Sequence, residues 1–121
     1  MEIAYWFVAG LLALFFLYAG GLKLTRSKEQ LQPTMGWVDV IPMWLVRTIG
    51  VLEVLGAIGL ILPPLTGVAP ALALVAAIGF VVLQVLATGL HLSRGEGRLI
   101  GLNIGVIVLA GVTVWLATIW V

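Results

Sequence analysis

The chain offers few groups that could do chemistry. The most conspicuous is Glu53, in the apolar, glycine-dotted run GVLEVLGAIGLILPPLTG at 50–67. With it stand Tyr18, Arg47, Gln84, His91 and Asn103. A carboxyl in such a run can be a proton carrier, a ligand anchor, or a structural hydrogen-bonding group that locks helices together. With no cysteine, the chain has no thiolate nucleophile, disulfide relay or thiolate metal site. A single histidine cannot build a conventional metal site. No phosphate-binding loop, HExxH or Ser/His/Asp spacing occurs, so no catalytic residue is assigned and no metal is expected.

The residues that must position these groups are overwhelmingly apolar. The chain has 121 residues, of which 63% are hydrophobic and 9% charged, against about 45–50% and about 25% in soluble domains. A net charge of +1 provides no field for nucleic acid, which is excluded as a partner. Four stretches reach the roughly 20 apolar residues needed to cross a bilayer, about 3–22, 43–62, 70–90 and 99–120. Barrel strands would alternate polar and apolar residues, and no such alternation occurs. The expected fold class is therefore all-α, one integral membrane four-helix bundle spanning 1–121.

The connections set the expected orientation. Residues 23–42 are polar and mixed in charge, 63–69 (PPLTGVA) are uncharged, and 91–98 (HLSRGEGR) are basic. Lys23, Arg26, Lys28, Arg94 and Arg98 all fall in the first and third connections. The positive-inside rule puts those on the cytoplasmic side of a bacterial plasma membrane, with both termini outside. Trp6, Trp115 and Trp120 then mark the outer interface, and Trp37 and Trp44 the inner one. Only Glu2 precedes the first run, without a basic n-region, so that run is read as a retained span rather than a cleaved leader. Pro63 and Pro64 are expected to end the second helix at a tight outer turn. The long first connection can be a solvated loop, or an interfacial segment anchored by Leu31, Trp37, Val38, Val40 and Ile41.

Converting position to depth at about 1.5 Å per residue puts Glu53 near mid-span. Arg47 lies about 9 Å nearer the cytoplasm, Tyr18 about 8 Å, Gln84 about 6 Å and Asn103 about 10 Å. His91 and Lys23 mark the inner mouth. Every helix thus contributes a polar group to the inner half, and the outer half has almost none. Gly50, Gly56 and Ala57 share Glu53's helix face, which should pack on a neighbouring helix and turn Glu53 into protein. Gln84, Thr88 and His91 form one stripe on the third span. Gln84, Arg47 and Asn103 are the expected partners of Glu53, with His91 within reach through water, although Arg47 stands roughly 120° round its own helix. Burial and a neighbouring cation pull the protonation of Glu53 in opposite directions, so its charge state stays open. Gly101 and Gly105 form a GxxxG on the face opposite Asn103, a second packing surface that allows an oligomer or a membrane-protein partner.

Three segments carry a family resemblance: YAGGLKL at 18–24, IGVLEVLGAIGLILPPLTG at 49–67 and VLATGLHLSRGE at 85–96. In this order and composition the chain resembles the DoxX-like family of small four-helix membrane proteins. The family's pattern falls on Gly20, Lys23, Gly50, Glu53, Gly56, Pro63 and His91. The resemblance implies a bundle without catalytic activity of its own, related to proteins that accompany quinone-linked oxidoreductases, so a quinone or lipid is the implied bound molecule. It implies alternatively an assembly factor for other membrane proteins. A proton-coupled transporter using Glu53 is the third reading, although the small multidrug exporters it would parallel carry their carboxylate in the first helix.

Overall fold

A computed structural model describes residues 2–31, 41–95 and 100–121. They form helices α1 (Glu2–Thr25), α2 (Lys28–Leu31), α3 (Met43–Thr66), α4 (Leu72–Ser93) and α5 (Ile100–Ala117), closed by a 3₁₀ turn at Thr118–Trp120. There is no strand among the described residues. Four helical stretches are long and apolar enough to cross a membrane, so the chain is an integral membrane four-helix bundle. The helices form a ring in which α1 packs on α3 and α5, and α4 packs on α3 and α5. The aliphatic side chains left exposed on the outside are those a bilayer would cover, including Leu14, Leu55, Val75 and Val108.

The prolines do not end the second long helix as expected; α3 runs through Pro63 and Pro64 to Thr66. It stops at Gly67, which takes the left-handed conformation (φ 76°) and donates its N–H to the Pro63 carbonyl at 2.9 Å. This is a glycine cap, which a residue with a Cβ adopts only with strain. Proline at 64 supplies no N–H for the Leu60 carbonyl four residues back. The Tyr5 hydroxyl donates to that carbonyl instead, at 2.5 Å, which satisfies the buried acceptor and ties α1 to α3. Trp6 and Trp120 pack edge-on against Tyr5, with centroids 5.4 and 5.3 Å away, and complete an aromatic cluster at the end that carries the termini.

Midway along the bundle, Phe16 of α1 and Phe80 of α4 stack across the ring with centroids 3.9 Å apart. Between these aromatic layers the core is filled by small residues such as Ala9, Ala13, Ala73 and Ala110, which lets the helices approach closely. The first connection begins with α2, whose Ser27 and Gln30 cap each other reciprocally. Leu31 at its end is 1% exposed and packs with Val46, so it anchors to protein rather than to the bilayer surface. Trp37, Val38, Val40 and Arg98 lie outside the described residues.

Candidate functional site

Beyond the Phe16–Phe80 stack, towards the basic end, the packing changes character. Gly20 and Gly50 bring the backbones of α1 and α3 so close that a Cβ on Gly20 would lie 2.9 Å from the Gly50 carbonyl oxygen. A Cβ on Gly20 would also stand 3.1 Å from the Glu53 Cβ, and one on Gly50 2.9 Å from the Lys23 Cβ. Each glycine thus makes room for the charged residue of the opposite helix. The two helices are antiparallel, and helical side chains lean towards their own N-termini, so Lys23 and Glu53 lean towards each other. The Lys23 Nζ donates to Glu53 Oε1 at 2.6 Å, with both side chains buried. This ion pair neutralises the carboxylate inside the bundle.

The expected partners of Glu53 are therefore corrected. Arg47 does not reach it; its Nη1 donates to the Lys23 backbone carbonyl. That carbonyl is among the last of α1, where helical partners run out, and a guanidinium there also opposes the negative end of the helix dipole. Arg47 so holds the α1 terminus that carries Lys23. No hydrogen bond joins Gln84 or Asn103 to Glu53 among the described residues.

Glu53, Gln84, His91, Asn103 and Tyr18 nevertheless border one cavity of about 570 Å³ at the basic end of the bundle, and Lys23 borders it too. Its remaining walls are apolar, among them Phe15, Leu83 and Leu90. The volume falls within the roughly 300–1,000 Å³ typical of small-molecule sites. Glu53, Gln84 and Asn103 are 2%, 8% and 7% exposed. Tyr18 is 70% exposed, so it stands at the rim and faces outward. Arg47 lies outside the cavity. The stripe on α4 runs from buried Ala77 through Gln84 to half-buried Thr88 and His91, and the Thr88 hydroxyl donates to the Gln84 carbonyl at 2.8 Å.

The small residues divide by role. Gly50 faces α1, Ala57 is buried in the core, and Gly56 faces α4, where a Cβ would lie 2.6 Å from the Phe80 ring. Gly101 and Gly105 are exposed, with nothing within 4 Å of a built Cβ. They pack on no helix among the described residues. Depth along the sequence does not reveal Lys23 as the partner of Glu53, because backbone position leaves out the lean of the side chains.

The four apolar helices with a polar cluster at one end define a small polytopic membrane protein. The DoxX-like family model matches residues 7–113, and the chain belongs to that family. Gly20, Lys23, Gly50 and Glu53, which form the reciprocal contact just described, all lie within the matched residues. No curated protein and no solved structure gives a significant match.

Proposed function

We propose that this protein is a non-catalytic bundle of the bacterial plasma membrane that binds a small hydrophobic molecule, quinone-like or lipid-like, as an accessory to a membrane oxidoreductase system. The basic end faces the cytoplasm in this reading, and both termini face outward. The observation that carries it is the cavity of about 570 Å³ lined by all four long helices, mostly apolar and with polar groups contributed by each of them. The accessory role is suggested by the family resemblance alone. The buried pairing of Glu53 with Lys23 weighs against a proton-coupled exchanger, which needs a carboxyl that can change its charge readily. A second reading, docking of a membrane partner or a second copy, draws on the open α5 face at Gly101 and Gly105.

Native mass spectrometry of the protein extracted with its own lipid tests the cavity reading. Wild type should retain a bound small molecule, and Ala87→Trp or Leu90→Trp, which fill the cavity, should lose it. Equal retention by wild type and both variants contradicts the reading.

A further inference from the structure

The cavity wall contains two carboxamides whose side chains have no hydrogen-bond partner among the described residues. Gln84 on α4 and Asn103 on α5 are both more than nine-tenths buried and both border the cavity. The Asn103 Nδ2 is buried with no hydrogen-bond partner among the described residues. The Gln84 side-chain amide makes no hydrogen bond among them either; only its backbone carbonyl is engaged, by Thr88. A buried amide N–H without a partner, as at Asn103, is costly, and native proteins keep few of them unless something else completes them; the Gln84 amide borders the same cavity. The charged groups of the same cavity differ in this respect, because Lys23 and Glu53 complete each other. The cavity therefore presents neutral donors and acceptors rather than a net charge.

We propose that Gln84 and Asn103 are the recognition groups of this cavity, and that the molecule they hold carries an uncharged, oxygen-bearing head of the ketone or amide class on an apolar body. This rests on the ligand-binding reading above. A carboxamide offers both a donor and an acceptor and turns about its last bond to present either one. An acceptor oxygen on the ligand satisfies the amide N–H groups, and the aliphatic walls cover its chain. A charged head would have to be desolvated against a wall whose described acid and ammonium, Glu53 and Lys23, already pair with each other.

Titration of the detergent-solubilised protein by native mass spectrometry tests this, with N-methyldecanamide, decylammonium and decanoate as matched probes. The wild type should take N-methyldecanamide about tenfold or more tightly than either charged probe, and Gln84→Leu/Asn103→Leu should lose that preference. Each leucine variant should keep or raise the thermal midpoint, because it removes an unsatisfied polar group. A lowered midpoint would make these amides structural and overturn the proposal. So would equal binding of all three probes by wild type and double variant. If Ala87→Trp abolishes that equal binding, the cavity reading survives alone; if wild type binds no probe, or Ala87→Trp binds as wild type does, the cavity reading falls too.

Discussion

Lys23 and Glu53 meet at 2.6 Å inside the bundle, each lodged opposite a glycine of the other's helix. Removing one partner strands the other charge in a low-dielectric interior, which costs about 3–5 kcal/mol, whereas replacing both with apolar residues is often close to neutral. Lys23→Met and Glu53→Leu should each destabilise by about that amount, and the double variant by less than either alone. Glu53→Gln keeps an acceptor for the ammonium and should lose less than Glu53→Leu. Unfolding in mixed micelles reads all four; simple additivity of the two single losses would show that the pair is not coupled.

The Gly20–Gly50 crossing should tolerate no added methyl group. Gly20→Ala sets a Cβ against a backbone carbonyl that cannot turn away, so α1 and α3 must separate. Overpacking of this kind costs about 1–3 kcal/mol. A crosslink or spin-label distance between α1 and α3 should lengthen in the variant. An unchanged distance together with wild-type stability would count against the close approach.

The hydroxyl of Tyr5 replaces the backbone donor that Pro64 lacks. Tyr5→Phe should therefore cost about 1–3 kcal/mol by leaving the Leu60 carbonyl unsatisfied. Pro64→Ala restores an N–H to that carbonyl, so Tyr5→Phe should cost less in its presence. Thermal unfolding of the four proteins measures the coupling, and equal losses in both backgrounds would separate the tyrosine from the proline.

Gly101 and Gly105 should behave in the opposite way to Gly20. No described residue lies near a Cβ at either position, so Gly101→Ala and Gly105→Ala should leave the bundle intact or stabilise it slightly, by up to about 1 kcal/mol from helix propensity. Gly101→Leu and Gly105→Leu should likewise preserve the isolated fold while abolishing any close helix docking on this face. Circular dichroism beside sizing chromatography separates the two effects. Loss of helicity in these variants would show that the face is not open.

The spans and the gathering of polar groups at one end are legible in the sequence, because lipid imposes long apolar runs and depth follows from helical rise. Residues 43–62 already outline α3, but its true end does not follow from proline alone: proline is tolerated near a helix end when another donor takes the freed carbonyl, and that donor, Tyr5, lies 55 residues away. The partner of Glu53 was hidden for a related reason. Lys23 looks like an end-of-helix anchor until the antiparallel lean of the two side chains and the paired glycines are known. Arg47, close in depth, is taken up by the terminus of α1 instead.

The central claim, that the cavity at the basic end holds a small amphiphile, is tested most directly by photolabelling in native membranes with a diazirine-bearing decanamide. Labels should concentrate on cavity-lining segments, Leu83–His91 of α4 and Leu102–Asn103 of α5, and Ala87→Trp should suppress them. Labels spread over lipid-facing side chains such as Leu14, Ile78 and Val108, and unchanged by Ala87→Trp, would contradict it.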